Sequence, residues 1–390
     1  MSEKKQLALY IHIPFCIHKC GYCDFNSYAL DKLLDMGHVG KNWAAAYGTS
    51  LIREIKGRAG RLGLVGASVE TVFFGGGTPS LFPESETIRI LKTIQDTFKL
   101  SSGAEITLEA NPGAAETKRF ESLREAGFNR ISIGVQSFND EALGRLERVH
   151  SGEDAREAFH SARRAGFSNV SLDLMFGTPF QSPAQAVADV EIALALGPEH
   201  ISAYELTIEP GTNFGALHGR GELAGLPDED TALDMWDMRD RLLSAAGYER
   251  YEISNFARPG FRCKHNLNYW LRGDYLGLGA GAHSLIAGQR TWNIARPDHY
   301  IECKDDPATG GENVKDAEKA ISEALMLGLR LKEGVSLGDI ASRCGTEPEE
   351  KFGEVFTELI GKKLLEQEDR TIRLTQRGTL LANQVLARFI

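Results

Sequence analysis

The chain has 390 residues, enough for two or three domains, with 42% hydrophobic and 25% charged residues, as in ordinary soluble globular proteins. A formal net charge of −10 argues against nucleic acid as the main partner, because such a partner calls for a basic face. The polar Met1–Gln6 segment and the following stretch with His12, Pro14 and Cys16 do not read as a signal-peptide pattern, so no signal peptide is expected. No uncharged run approaches the roughly 18 apolar residues of a membrane span, so a cytoplasmic protein is expected.

In chain order, six short β-branched or alternating runs predict strands at 7–13, 69–74, 104–109, 130–135, 168–175 and 200–207. Stretches with helical spacing separate them, among them Ile88, Leu91, Ile94 and Phe98. Strand–helix alternation implies parallel strands with right-handed crossovers. An internal repeat agrees: Phe120-Glu121-Ser122 through Ala126-Gly127-Phe128 and Ile131-Ser132 reappears as Phe159-His160-Ser161 through Ala165-Gly166-Phe167 and Val170-Ser171. Each copy ends a helix at glycine and enters a strand. The expected fold class is α/β, a partial (β/α)6 barrel. After it come a helix at 228–246, a glycine-rich aromatic stretch at 260–296 without clear period, and a mostly helical, winged-helix-like domain from Asp316. That domain holds nearly equal acidic and basic charge, so it carries no electrostatic footprint for DNA. The expected division is 1–225, 226–315 and 316–390.

Three of the six cysteines fall within eight residues, as Cys16, Cys20 and Cys23. Clustered thiols in a large chain read as metal ligands rather than a disulfide framework. Zinc would need a fourth ligand, His12 or His18. A [4Fe–4S] cube on three thiolates leaves one iron open to chelate a small molecule through amino and carboxylate groups. On residue types alone, zinc, idle thiols and a cluster all remain open. The C-x3-C-x2-C spacing with Tyr22 before the last cysteine resembles the radical S-adenosylmethionine (SAM) superfamily. That resemblance implies a [4Fe–4S] cluster whose open iron takes SAM, and a 5′-deoxyadenosyl radical on reduction.

In such a barrel the site lies at the C-terminal strand ends. There the sequence puts Gly75-Gly76-Gly77-Thr78-Pro79, Glu109-Ala110-Asn111-Pro112, Gln136-Ser137, Asp173, and Tyr204-Glu205. Buried strand carboxylates are costly unless paired or bound, so together they suggest one polar ring. Arg148 has the fork geometry to reach a carboxylate bidentately.

The stretch Tyr10 to Phe25, with Phe73-Phe74-Gly75-Gly76-Gly77-Thr78-Pro79, Gly134-Val135-Gln136-Ser137 and Asp173-Leu174-Met175-Phe176-Gly177, resembles the oxygen-independent coproporphyrinogen III oxidase (HemN-like) group. The resemblance carries SAM contacts to Tyr10, Tyr22, Gly76, Gly77, Thr78, Glu109, Gln136, Arg148 and Asp173. Within that group the true oxidases have a further cysteine two residues after the third and an N-terminal extension; here the position is Phe25, and nine residues precede Tyr10. The HemW-type haem-chaperone family instead carries His-Asn-x-x-Tyr-Trp, matched by His265-Asn266-Leu267-Asn268-Tyr269-Trp270. An imidazole is a common axial ligand of haem iron. His265 is therefore the expected haem ligand, with His283 a weaker second candidate. The implied function is a haem chaperone that passes haem to an acceptor protein, with no catalytic residue assigned and membrane contact only through the acceptor. The rivals are coproporphyrinogen decarboxylation and another radical SAM reaction such as methyl transfer.

Overall fold

Strand β1 (Leu7–Ile13) shows how alternation builds the barrel wall. Leu7, Leu9, Ile11 and Ile13 join the main apolar core with Tyr47, Leu51 and Ile55 of the helix Trp43–Arg61. Ala8, Tyr10 and His12 take the opposite face, because successive side chains in a strand point to opposite sides. The computed structural model describes residues 7–35, 37, 39–113 and 117–390, so the Met1–Gln6 segment lies outside it.

Strands β2 (Ser68–Gly76), β3 (Lys99–Ala110), β4 (Arg130–Gln136), β5 (Val170–Phe176) and β6 (His200–Glu205) follow β1 in spatial order, all parallel. Helices such as Glu84–Thr97, Thr117–Ala126, Gly152–Arg164 and Pro183–Leu196 supply the crossovers. The repeat is visible here. Gly127 and Gly166 both take positive φ, 119° and 87°, and the Phe120 and Phe167 rings meet edge-on at 6.3 Å.

The sheet does not stop at six strands. Strand β8 (Asn255–Ala257) adds antiparallel to β6, and β7 (Glu249–Arg250) pairs antiparallel with β8 at the sheet edge. Strand β9 (Tyr275–Leu278) lies parallel to β1, and β10 (His283–Ile286), β11 (Gln289–Asn293) and β12 (Ala308–Asn313) extend that edge antiparallel. The result is one open, mixed sheet of twelve strands, whose two edges both come from residues 249–313. Two- to six-residue strands interrupted by Gly277, Gly279 and Gly281 leave no period to read.

Inside the curved sheet the side chains are polar and buried, among them Thr71, Glu105, Thr107, Arg130, Ser171, His200 and Ser202. The short helix Lys264–Trp270 closes this interior from below. Its first N–H groups, of Lys264 and His265, each reach the Glu105 carboxylate at 3.2 Å, where negative charge suits a helix start.

The C-terminal part has its own core, built from Ile321, Leu325, Ile340, Phe352, Phe356, Leu359, Ile372 and Phe389. Helices Ala317–Gly328, Leu337–Cys344 and Pro348–Gly361 precede a hairpin, Leu365–Glu368 with Thr371–Leu374, and two short helices end the chain. Val335–Ser336 pairs with the hairpin as a third strand, giving a winged-helix-like arrangement. No helix among the described residues is long and apolar enough to cross a membrane.

Candidate functional site

The C-terminal ends of β2 to β6 open into a cavity of about 430 Å³. Its walls bring together Cys16, Cys20 and Cys23 with Tyr22, Gly76, Gly77, Thr78, Glu109, Gln136, Arg148 and Asp173. Of the expected SAM contacts only Tyr10 lies elsewhere: it lines a neighbouring cavity, and its hydroxyl meets His12 Nδ1 at 3.0 Å.

The cysteine loop leaves β1 at Ile13 and is held by backbone. Gly77 N–H donates to Ile13 O and Thr78 N–H to Phe15 O, both at 2.8 Å. A Cβ on Gly77 would lie 2.7 Å from the Phe15 carbonyl oxygen, and one on Gly76 would lie 2.5 Å from the His12 ring, so the glycine run seats the loop against the strand. Each thiol has a polar neighbour. The Thr78 hydroxyl donates to Cys16 Sγ at 3.6 Å, the Arg148 guanidinium to Cys20 Sγ at 3.6 Å, and Cys23 Sγ lies 3.7 Å from Ser27 Oγ. Burial, more than any neighbour, pushes the Cys16 and Cys23 thiols up from their ordinary values. Among the described residues no three His, Cys, Asp or Glu side chains are grouped as ligands of one ion. Three thiols lining one cavity, each with a hydroxyl or guanidinium at its sulfur, are a donor set that fits an iron–sulfur cluster.

The same Arg148 guanidinium that meets Cys20 also donates to Asn111 Oδ1 and to Gly134 O, each at 2.8 Å. Asn111 in turn donates to Thr78 Oγ1 at 2.8 Å. Gln136 ends β4 with φ of 63°, beside a register break between β4 and β5, a backbone device common where a strand end must aim a side chain. Glu109 Oε2 accepts from Gly76 N–H at 3.1 Å; burial first, then the Asp173 charge, raises Glu109 to about 7. Asp173 is also raised by burial, and the Ser132 hydroxyl sits 3.2 Å from both its oxygens. Ser132 escaped the sequence reading because a lone serine in an apolar strand carries no signal of its own.

The expected haem ligand behaves differently. His265 is 1% exposed and stacks on Phe73 at 5.0 Å. Its Nδ1 pairs with the Thr71 hydroxyl at 2.8 Å and its Nε2 with the Tyr269 hydroxyl at 3.0 Å. Both nitrogens are taken, so this imidazole offers iron no lone pair in this arrangement. His265 lies buried in the barrel interior, and Trp270 lies under the Arg330 guanidinium, which is 4.5 Å from its ring centroid. Tyr269 lines a cavity.

That cavity, about 360 Å³, adjoins the first and shares Phe25, Gly76 and Glu109 with it. Its remaining walls are Tyr10, His12, Asn26, Tyr269, Tyr275 and the segment Gly281–His283. Phe25 is 60% exposed, a large aromatic surface on the wall between the two cavities.

Comparisons with known proteins agree with this arrangement. Residues 10–192 match the Radical SAM superfamily and residues 316–381 the HemN C-terminal domain. The structure of coproporphyrinogen III oxidase (HemN) from Escherichia coli superposes with a TM-score of 0.82 at 24% identity, over 99% of this chain and 90% of that one, which establishes the shared fold. Proteins named heme chaperone HemW are closer in sequence. The Bacillus subtilis protein is 38% identical over 98% of this chain and 99% of its own length, and the Escherichia coli protein is 38% identical with both chains fully covered. Full-length similarity of that degree, on a barrel that gathers three cysteines at its mouth, means that the chain belongs to the heme chaperone HemW family of the radical SAM superfamily.

Proposed function

We propose that this chain binds haem and hands it to an acceptor protein, and that it carries a [4Fe–4S] cluster on Cys16, Cys20 and Cys23 with SAM in the first cavity. The observation that carries this reading is the pair of adjoining cavities. One is lined by the three thiols and eight of the nine expected SAM contacts, the other by aromatic side chains, and they share the Phe25–Gly76–Glu109 wall. When bound, the cluster would supply one-electron reduction beside the SAM sulfonium. The chain's own residues bind and orient. Thr78 and Arg148 donate to the cysteine sulfurs, Asn111 ties those two donors to each other, and Glu109 and Asp173 supply negative charge for a cationic ligand. Six free thiols and no disulfide among the described residues suit the reducing cytoplasm expected from the sequence.

Phe25 stands where the oxidases of the resembling group have their extra cysteine. A phenyl ring there neither ligates metal nor transfers a proton. Anaerobic protein with SAM and a strong reductant should therefore leave coproporphyrinogen unchanged, while the same preparation titrated with haem should develop a Soret band. Substrate-dependent decarboxylation would return the chain to oxidase chemistry.

The position of Glu109 gives SAM binding a pH dependence. Its carboxyl is raised to about 7, so it is mostly protonated at pH 6 and mostly ionised at pH 8. A sulfonium cation favours the ionised form. SAM affinity should rise by up to about tenfold from pH 6 to pH 8 and then level off. Glu109→Gln should flatten that slope. Equilibrium dialysis of SAM against cluster-loaded protein at both pH values checks this, and a slope unchanged in Glu109→Gln would remove Glu109 from the SAM site.

A further inference from the structure

Three histidines stand at or just behind the second cavity, and their hydrogen bonding separates them. His12 is buried, with Nδ1 on the Tyr10 hydroxyl at 3.0 Å and Nε2 on the Asn26 carbonyl at 2.8 Å. His265 is buried behind Tyr269 with both nitrogens engaged. His283 is the exception: it is exposed at the start of β10, it lines the cavity, and its ring makes no hydrogen bond to any described residue. Burial and the nearby Arg290 guanidinium both push it below the ordinary histidine value, so it is neutral, with a free lone pair, at pH 7.

The backbone that presents His283 is anchored on two sides. Gly279 N–H donates to Glu54 Oε2 at 2.8 Å and Ala280 N–H to the Tyr47 hydroxyl at 2.9 Å. Asn26, from the cysteine loop, donates to Ala280 O at 3.1 Å and to Ala295 O at 2.9 Å. A Cβ on Gly281, which has φ of 75°, would fall 2.2 Å from Asn26 Nδ2. The loop that carries the three cysteines and the turn that carries His283 are thus locked together. Around the imidazole lie the aromatic rings of Tyr269, Tyr275 and Phe25, and Trp292 faces it across the strand pair at 6.1 Å. A preformed, aromatic cavity with one unpartnered ligating nitrogen is the chemistry that suits a metalloporphyrin.

We propose that His283, on the wall of the second cavity, is the axial ligand of the haem iron, and that His265 is a positioning residue which holds Tyr269 against that cavity. This assignment rests on the haem-chaperone reading above. It predicts that the iron binds beside Gly76 and Glu109, next to the SAM cavity rather than at a separate surface.

The test is haem titration of the full-length, cluster-loaded protein with three chains: wild type, His283→Ala and His265→Ala. Ferric-haem EPR reports axial ligation, because the oxidised cluster is EPR-silent, and quenching of tryptophan fluorescence reports affinity. His283→Ala should bind haem at least tenfold more weakly and lose the wild-type axial signature, and added free imidazole should restore that signature. His265→Ala should keep the wild-type signature. Iron content and circular dichroism equal to wild type show that each variant is folded; His283 is exposed, and its loss leaves no buried partner unsatisfied. A His283→Ala chain that titrates like wild type, or an axial signature lost only in His265→Ala, would overturn the assignment and leave the chaperone reading intact. No haem binding by wild type would overturn both.

Discussion

Replacing any one of Cys16, Cys20 or Cys23 by alanine is expected to abolish the [4Fe–4S] signal of anaerobically reconstituted protein, whereas Cys303→Ala and Cys344→Ala should each keep about four irons per chain. The three loop thiols line one cavity, and no other cysteine does. Cys263 sits in the barrel interior, fully buried, with its thiol 3.5 Å from Glu105 and pushed up to about 12 by burial, so it is a poor source of thiolate. Cys303 caps the end of helix Pro297–Glu302 and Cys344 ends a helix of the C-terminal domain, and neither lines the cysteine cavity. Loss of one of three ligands leaves an iron without protein support, so the effect should be close to complete rather than graded. Iron and sulfide analysis with the visible absorption spectrum is the measurement. About four irons retained in Cys20→Ala would refute the cysteine assignment.

What could be read in advance follows from how local each signal is. β1 is bounded by the residues its alternation gives, Leu7 to Ile13, because its outward face is apolar at every second position. The Gly75–Gly77 run and Glu109 were placed at strand ends by their position after apolar runs, and both line the first cavity, Gly75 excepted. The edge strands at 249–313 were not legible. They are short, and their stability comes from pairing with β1 and β6 rather than from their own pattern. His265 is instructive in the same way. Histidine beside tyrosine and tryptophan reads as a ligand in one dimension. Only the fold reveals that Thr71, 194 positions away, takes one ring nitrogen. The free nitrogen of His283 is equally invisible in sequence, since it depends on what the neighbouring strands do not offer.

The same dependence on distant partners makes Glu54 the residue whose loss should cost the fold most. Glu54 sits on the helix Trp43–Arg61 and is almost completely buried. Oε2 accepts from Gly279 N–H at 2.8 Å and from the Tyr300 hydroxyl at 2.6 Å; Oε1 accepts from Asn293 Nδ2 at 2.7 Å and from Arg58 at 3.4 Å. Burial raises its carboxyl above the ordinary value, yet every neighbour that meets it is a donor, so four acceptor positions are required there. Glu54→Ala takes the acceptor from Gly279 N–H and the Tyr300 hydroxyl and leaves the buried Arg58 charge without its carboxylate, although Arg58 keeps Gly277 O and Thr291 Oγ1 and Asn293 keeps Gly279 O. Such a loss typically costs about 3–5 kcal/mol. Glu54→Gln should help little, because either amide orientation turns an NH2 toward two donors. Two of the donors, Tyr300 and Gly279, belong to helix Pro297–Glu302 and to the turn before His283, and Asn293 ends the neighbouring strand β11, so the seam that opens is the one holding the second cavity's wall. Urea unfolding followed by near-ultraviolet circular dichroism should show an earlier first transition in both variants, with the C-terminal domain's transition unmoved because its core is separate. In Glu54→Ala, haem binding should fall even below the urea midpoint, since the turn presenting His283 loses its anchor while the cysteine cavity keeps its own. Wild-type urea behaviour in both variants would mean that the network is not what holds this seam.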